Sequence, residues 1–531
     1  MLNELFNYYI VLFVLLQEVQ LINDTEQMDR FEEVPFTLTF KVRVFNITNP
    51  DEVLAGGVPV LNEIGPYVYT SRQLRLIQEM DEDTITYRRM DIMEFDEKAS
   101  YPFTTEDRLT IVNVAYHVRT LRAISHRTHN FRISDIFRYI FVFFLPQGIL
   151  QTAERMFPNL MGAMAAALNG IFGENNGPIM TVRVGDLLFD GIPICKNPGI
   201  IGGIACMQIK SLAANVRNME EKEDGSLEFS LLRYVSLISD MFHRGLTEAL
   251  DLGIISSYNG SAYLSNWNLD TEAEGGEPNV CNKIRGTDSG IFPPFVDRSK
   301  ALRYEDDTTY EGIPAARFTA DEWFLDNNEG CFCLNTTAGI TAENGCLLHG
   351  AMELYTCQNP EGRQIFLIVK MLFSITKNMF FIIGAFLVLT YPHFLYADFK
   401  YRNGVVGVSP SEQDHKIFVE LEPRTGTVIR GMKRAQFNIF MRQITSIPAT
   451  QNLRTTLTPL IWVEEVDILY NTFHFITRLL QRLRLVDILI PTIIAVSCLV
   501  VVIGVVLLIR FRTVRKKGDV TNGRERIRPA T

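Results

Sequence analysis

One uninterrupted apolar stretch near the C-terminus limits what this chain can fold into. Residues 488–509 are 22 consecutive residues without a charged side chain, and a helix of that length spans the ~30 Å hydrocarbon core of a bilayer. Eight Lys and Arg residues follow this stretch, and three lie shortly before it. Because basic residues favour the cytoplasmic side of a membrane, we predict a transmembrane helix over 488–510, a cytoplasmic tail over 511–531 and an extracellular domain over 23–487.

A second, shorter apolar run lies at the N-terminus. Residues 5–16 are uncharged but too few to cross a bilayer, and Asn7 interrupts them. A signal peptide would need a basic leader and a small-residue cleavage site, and the sequence offers neither. We therefore interpret residues 1–22 as a truncated membrane anchor, which predicts a two-pass protein of the plasma membrane.

Charge and motifs exclude several functional classes. The net charge of −10 gives no attraction to phosphate, so nucleic acid is excluded as a partner. Residues 286–290 read G-T-D-S-G and lack the G-x-S-x-G order of a hydrolase nucleophile. The eight histidines include no H-E-x-x-H pair. We predict no catalytic residue, no metal site and no cofactor, and we interpret His393 and His415 as structural.

The use of cysteine and asparagine agrees with an extracellular domain. Seven of the eight cysteines precede the apolar stretch, and five of them lie within 77 residues, as in a disulfide framework. A C-x-C pair with no second pair is a poor zinc signature. We predict a local disulfide between Cys195 and Cys206. Four Asn-x-Ser/Thr sequons are predicted to carry glycans: Asn23, Asn46, Asn259 and Asn335.

The hydrophobic pattern predicts an α+β fold. Short alternating stretches separated by turn formers predict strands at 36–47, 67–77, 84–95, 416–423, 426–432, 435–441 and 460–465. Residues 156–172 have helical composition and a wide apolar face. We therefore predict an extracellular antiparallel β-barrel, closed by strands from both halves of the chain, with a helical apical cap and terminal transmembrane helices.

Six sequence blocks lie in order along the chain, at 45–53 with 63–67, 281–295, 312–314, 331–333, 392–395 and 422–426. Their content and order resemble those of the class B scavenger receptors. The residues from 422 to 440 resemble the insect sensory neuron membrane proteins in particular. The resemblance covers about residues 30 to 510.

The resemblance implies two membrane anchors and a lipid tunnel beneath a helical apex. The expected function is a cell-surface receptor that binds and transfers fatty-acyl or other lipophilic ligands in pheromone or odorant detection. Membrane lipid and an odorant receptor are its expected partners. A scavenger receptor that takes up lipids, lipoproteins or cell debris is the alternative. The resemblance also implies the disulfides Cys281–Cys331 and Cys333–Cys346, with Cys357 unpaired.

The same resemblance places the mouth of the tunnel at residues 156–172. The predicted mouth residues are Arg155, Met156, Phe157, Leu160, Met161 and Met164, because Met side chains adapt to varied chains. Relatives place a lysine near such a mouth to meet a carboxylate. Here no lysine lies between Lys98 and Lys196, which leaves esters, aldehydes and alcohols open as ligands.

Two segments have no counterpart in the family pattern, 118–147 and about 368–389. The codons of Val118-Arg119 and Val369-Lys370 can form splice-donor sequences. We predict that both segments are unspliced introns.

Sequencing of cDNA should therefore yield mature transcripts that lack both segments. Abundant transcripts that retain both in frame would contradict this prediction.

Overall fold

The structure is a computed structural model of the 531-residue chain. It divides into two units, Val19–Ile468 and a second unit made of Met1–Glu18 with Leu469–Thr531. The residues that it describes are 20–34, 37–114, 116, 169–200, 202–203, 206–207, 210, 219–232, 239–244, 246–247, 255–258, 302–325, 339–354, 387–423, 428–443, 448–468 and 473–525.

The described part of the larger unit is rich in strands. The strands are β1 (Leu38–Ile47), β2 (Leu61–Met80), β3 (Thr84–Phe95), β4 (Arg108–Val112), β5 (Ile179–Arg183), β6 (Ile192–Ile194), β7 (Met219–Glu221), β8 (Leu227–Phe229), β9 (Ser239–His243), β10 (Ile255–Tyr258), β11 (Arg303–Tyr310), β12 (Ile313–Ala320), β13 (Met352–Glu353), β14 (Leu387–Thr390), β15 (Ile417–Leu421), β16 (Val428–Met441) and β17 (Thr456–Ile468).

Among the described residues the helices are short, except for the last one. They are α1 (Glu26–Glu32), α2 (Pro50–Leu54), α3 (Glu97–Ser100), α4 (Phe399–Arg402), α5 (Glu412–His415) and α6 (Phe473–Glu525). Other helical turns, which are not α-helical, lie at Gly173–Asn175, Asp186–Asp190, Glu322–Leu325 and Pro392–Phe394.

A large antiparallel sheet joins the two ends of this unit. Its hydrogen-bonded order is β10-β9-β3-β2-β1-β17-β16-β15-β12-β11, and β14, which pairs with β13, also pairs with β16. The central neighbours, β1 and β17, are about 400 residues apart in sequence. The sheet confirms the predicted α+β class. In the part of the chain that the structure describes, the order ends at β10 and β11, so closure into a barrel stays a proposal.

The two faces of the central strands differ in polarity because successive strand residues point to opposite sides. Val42 and Val44 of β1 are fully buried in the main hydrophobic core. On the other face, Lys41 lies opposite Glu464 of β17, and Glu464 lies opposite Arg434 of β16. The Glu464 carboxylate accepts hydrogen bonds from Lys41 Nζ at 3.1 Å and from Arg434 Nε at 2.7 Å.

Strand β16 differs from its prediction in one respect. The sequence predicted two strands, 426–432 and 435–441, whereas the structure has one strand, Val428–Met441. The charged pair Lys433 and Arg434 breaks the hydrophobic alternation in sequence. In the structure the Lys433 ammonium lies 2.6 Å from Glu465 of β17, and Arg434 pairs with Glu464. These cross-strand partners let the strand continue through two nearly buried charges.

The segment about 368–389 is described only at its end. Residues 387–389 belong to β14, where Val388 and Leu389 are buried and pair with Asn438 and Phe437 of β16. These residues therefore belong to the sheet, and we propose that the inserted segment ends before Leu387. The other predicted insertion, 118–147, lies outside the described residues.

In the smaller unit, α6 is the element that the structure describes. Within the described residues one helix is long and apolar enough to cross a membrane, over Ile488–Thr513, which contains the predicted range 488–510. Two hydroxyl groups in this range donate to carbonyls one turn earlier, Thr492 to Ile488 at 2.9 Å and Ser497 to Ile493 at 2.8 Å. Such bonds leave no hydroxyl hydrogen unsatisfied in hydrocarbon.

Candidate functional site

The candidate ligand site is a small apolar pocket between two minor sheets. One sheet pairs β4 with β5 and the other has the order β6-β8-β7. The pocket has a volume of about 270 Å³, which includes space open to solvent. Its lining residues are Asn113, Val114, Phe172, Asn175, Met180, Ile192, Pro193, Ile194 and Phe229. None of the nine is charged, so the pocket suits an apolar group.

The polar side chain of Asn113 stabilises the pocket wall. Its Nδ2 donates to the carbonyl of Asn175 at 2.8 Å, and its Oδ1 accepts from the backbone N–H of Tyr116 at 3.2 Å. Its own N–H donates to the carbonyl of Pro178. Because these groups bond to backbone, Asn113 holds two turns together around the pocket.

A disulfide lies next to the pocket wall that β6 forms. Cys195 directly follows the lining residue Ile194 and is bonded to Cys206, with the Cα atoms 5.8 Å apart. The backbone N–H of Cys195 donates to the carbonyl of Ile171 at 2.8 Å. Ile171 and Phe172 form the end of the helix predicted over 156–172. Cys195 therefore connects β6 with the end of the predicted mouth segment.

The predicted mouth residues themselves lie outside the described residues. They are Arg155, Met156, Phe157, Leu160, Met161 and Met164. Of the predicted mouth segment, 156–172, the structure describes residues 169–172, and Phe172 lines the pocket. Sequence reasoning did not find the other eight lining residues, because they come from separate elements between 113 and 229.

The remaining cysteines are described in part. Cys346 is disulfide-bonded and buried, and its predicted partner, Cys333, lies outside the described residues. Cys281, Cys331 and Cys357 lie outside them as well. The pairings that the resemblance implied therefore stay predictions.

Two of the four sequons are described. Asn23 is exposed, and its side-chain oxygen accepts a hydrogen bond from Arg244. Asn46 is half-buried on β1, and its oxygen accepts from the backbone N–H of Thr110 at 2.8 Å. Asn259 and Asn335 lie outside the described residues. Glycosylation of all four stays a prediction.

A buried polar cluster lies where two of the family-like blocks meet. The imidazole Nε2 of His393 lies 2.5 Å from the Glu63 carboxylate, and the ring stacks on His415 with centroids 4.4 Å apart. Arg43 lies over the Trp462 ring at 4.3 Å and pairs with Glu63 at 3.4 Å. Sequence reasoning treated both histidines as structural but did not connect Glu63 with them, because 330 residues separate it from His393.

Backbone contacts fix both imidazoles. His393 Nδ1 accepts from the N–H of Ser409 at 3.1 Å, and His415 Nδ1 accepts from the N–H of Ser411 at 3.0 Å. Burial, together with the nearby His393, lowers the pKa of His415 to about 4. His415 is therefore neutral at physiological pH.

The Glu63 carboxylate is stabilised in its charged form. Burial alone raises the pKa of Glu63, but hydrogen bonding with His393 and Trp462 and the charges of His393 and Arg43 lower it by more. The net pKa lies below the ordinary value for Glu, so this carboxylate is ionised at physiological pH. A half-buried carboxylate with these partners suits a structural role.

Comparison with known proteins identifies the class. A sequence model of the CD36 family matches residues 4–512. The chain is thus a membrane receptor of the CD36 family, the class B scavenger receptors. This confirms the resemblance found in the sequence. Receptors of this family are not enzymes.

Three insect relatives indicate the branch. The chain is similar to sensory neuron membrane protein 2 of Aedes aegypti, 32% identical over 493 residues that cover 85% of each chain. Sensory neuron membrane protein 2 of Drosophila melanogaster is 31% identical over 498 residues, covering 85% of this chain and 83% of the relative. Sensory neuron membrane protein 1 of Manduca sexta is 27% identical over 479 residues, covering 86% and 78%.

We predict that His415 makes the stability of the protein depend on pH. The folded pKa of His415, about 4, lies below the ordinary value of about 6.5. The unfolded chain therefore takes up this proton first as pH falls. The contribution is fully present above pH ~6.5 and decreases as pH falls toward ~4, by roughly 3 kcal/mol in all.

Thermal unfolding of the detergent-solubilised full chain, followed between pH 7 and pH 4, measures this effect. The control variant is His415→Asn, whose amide oxygen can still accept from Ser411 N–H but cannot titrate. The variant should lose less stability than the wild type over this range. Equal pH dependence of the two proteins would show that His415 does not contribute.

Proposed function

We propose that this chain is a cell-surface receptor that binds long-chain fatty-acyl molecules and transfers them toward the membrane in pheromone or odorant detection. The observation that carries the proposal is the uncharged pocket beside residues 171–172, the end of the predicted mouth segment. Membership of the CD36 family supports a lipophilic ligand in general.

The uncharged lining favours ligands according to the length of their acyl chain rather than the chemistry of their head group. Its lining consists of apolar side chains and two asparagines, Asn113 and Asn175, and contains no cation. A carboxylate ligand would therefore gain no ion pair from the nine lining residues. We propose that neutral alcohols, aldehydes and esters bind about as well as the free acids.

The volume of about 270 Å³ includes space open to solvent, and the enclosed part has room for about one water molecule, far below the ~300–1,000 Å³ of ligand pockets. We propose that one end of a long chain contacts the lining residues of this opening. We propose that the rest of the ligand occupies a tunnel inside a closed barrel.

The topology of the receptor follows the sequence prediction. We propose a two-pass protein with residues 1–22 as the first anchor, an extracellular domain over 23–487 and a cytoplasmic tail over 511–531. The disulfides Cys281–Cys331 and Cys333–Cys346 and the four glycans belong to the extracellular domain. An odorant receptor in the same membrane is the proposed recipient of the ligand, and membrane lipid surrounds both.

We predict that affinity rises with ligand chain length. Each buried methylene contributes ~0.8 kcal/mol, so about twelve carbons contribute roughly 10 kcal/mol before association costs of ~4–15 kcal/mol. Micromolar dissociation constants are expected. Titration of the full chain in nanodiscs with fluorescent acids, alcohols and esters of about eight to eighteen carbons measures this.

Two variants test whether the pocket is the site. Val114→Phe adds a ring to a buried lining residue and should weaken long-chain binding about tenfold by filling the pocket. Val406→Phe makes the same change at a residue that is 53% exposed and should leave binding unchanged. Absence of saturable binding, or binding independent of chain length, would favour a receptor for a protein partner.

Antibody staining of antennae tests the biological role. Staining of neuronal cilia is the result expected for a receptor in odorant detection. Staining confined to support cells or gut would instead favour uptake and clearance of lipids.

A further inference from the structure

Two stacked imidazoles hold one segment of the larger unit against the sheet. We define the latch segment as residues 404–415, which lie between α4 and β15 and include α5. His415, at its end, stacks on His393 with an angle of 16° between the rings, and it lies edge-on to Trp462 of β17, with centroids 5.7 Å apart. Both imidazoles are buried. The latch segment is therefore attached to the sheet through a histidine ring.

The hydrogen bonds of the two rings define where a further proton can bind. His393 Nδ1 accepts from Ser409 N–H of the latch segment, and His415 Nδ1 accepts from Ser411 N–H at the start of α5. Because an accepting nitrogen carries no proton, these contacts assign the proton of each neutral ring to Nε2. A second proton must then enter at Nδ1, where it meets an N–H donor. Protonation of either ring therefore breaks its hydrogen bond to the backbone.

The surroundings of the rings disfavour the charged form of His415. In the part of the chain that the structure describes, the charged groups around the two rings are Arg43 of β1, Glu63 of β2, Asp414 of α5 and Arg434 of β16. The two carboxylates favour an imidazolium at His415 and Arg434 opposes one, but burial and the neighbouring His393 dominate and lower the pKa of His415 to about 4. An exposed imidazole takes up a proton near pH ~6.5. Acid therefore favours an arrangement in which His415 has left the cluster.

Backbone contacts attach the latch segment at two further points. Val406 N–H donates to the carbonyl of Pro59 at 2.9 Å, and its carbonyl accepts from Leu61 N–H, at the start of β2, at 2.8 Å. At the other end, Arg434 donates to the carbonyl of Lys416 at 2.8 Å. This second contact follows the latch segment, so the segment can move while β15 stays in place.

The turn that receives the latch segment has an unfavourable backbone conformation. His393 and Phe394 have φ angles of 54° and 59°, in the left-handed region that non-glycine residues rarely adopt. Contacts with the latch segment and the sheet hold this turn, including the hydrogen bond from His393 N–H to the side chain of Gln436 at 2.7 Å. Loss of the Ser409 contact thus removes one support of a strained turn.

We propose that residues 404–415 form an acid-sensitive latch, which leaves the sheet when protons bind Nδ1 of His393 and His415, while the sheet itself stays folded. Two imidazolium rings at 4.4 Å repel each other, so separation of the rings stabilises both charges. Opening removes a hydrogen-bond partner from Leu61 and exposes the buried side chain of Val405. Leu61 pairs with Ile47 at the end of β1. The order of this end of the sheet therefore depends on pH.

Hydrogen exchange of the full chain in nanodiscs without ligand, followed by mass spectrometry at pH 7 and pH 5, tests the latch. After correction for the intrinsic exchange rate, protection of peptides from 404–415 should fall about twentyfold through the proton of His415 alone. Peptides that contain Leu61 should lose protection with them, and peptides from the centre of β16 should keep theirs. Unchanged protection of 404–415 would overturn the proposal. Equal loss in β16 would also overturn it, because the whole sheet would then unfold.

The histidine variant His415→Asn keeps an oxygen that can accept from Ser411 N–H but cannot bind the proton. Its loss of protection between pH 7 and pH 5 should be at least about fivefold smaller than that of the wild type. The matched control is His243→Asn on β9, outside the cluster, which should behave as the wild type does. A loss in His415→Asn as large as in the wild type would contradict the proposal.

A second measurement leaves both histidines in place. Val405→Cys and Leu457→Cys each put a thiol at a buried position of the main core, on the latch segment and on β17. The reaction rate of the thiol at 405 with a methanethiosulfonate, divided by the rate at 457, should rise at least about tenfold from pH 7 to pH 5. A constant ratio would overturn the proposal whatever His415→Asn does. Because no ligand is present, the proposed function can stand if the latch fails.

Discussion

The pairing of β1 with β17 is the constraint on which the described architecture depends. It joins two strands from opposite ends of the larger unit, and the row Lys41–Glu464–Arg434 crosses three strands on one face. Glu464 is nearly buried, so removing one cation would leave a charge without full compensation, which typically costs ~3–5 kcal/mol. Burial alone raises the pKa of Glu464, but Arg434 and Lys41 lower it by more. A shift of register by one residue would break this row and expose the valines of the other face.

The pocket is attached to this sheet through β1. Asn46 at the end of β1 accepts a hydrogen bond from Thr110 of β4 at 2.8 Å, and β4 leads directly to the lining residues Asn113 and Val114. The second wall comes from β6, and Cys195, which follows β6, is disulfide-bonded to Cys206 and donates its backbone N–H to the Ile171 carbonyl at the end of the mouth segment. The sheet thus supports one side of the pocket, and a disulfide and a backbone hydrogen bond at Cys195 lie next to the other side. This arrangement suits a receptor that must keep an apolar opening exposed without collapse.

The sequence predicted the features that depend on local pattern. The apolar run at 488–509 predicted the helix that is long enough to cross a membrane, and alternation predicted all of β1 (Leu38–Ile47) and all of β3 (Thr84–Phe95). The hydrophobic pattern did not predict interactions between residues that are far apart in sequence. The charges in β16 are stabilised by residues about 30 positions away on β17, and the link from Glu63 to His393 spans 330 positions. The pocket could not be predicted for the same reason, because separate elements contribute its lining residues.

The central claim is that an acyl chain occupies the pocket between β4, β5, β6 and β8. Photolabelling tests it most directly, with a fatty alcohol of about sixteen carbons that carries a diazirine near its terminal methyl. After irradiation of the full chain, peptide mapping by mass spectrometry locates the labelled residues. We predict labels on peptides that contain Phe172, Met180 or Ile192, and loss of these labels when unlabelled alcohol competes. Competed labelling elsewhere, with these peptides unmodified, would contradict the account.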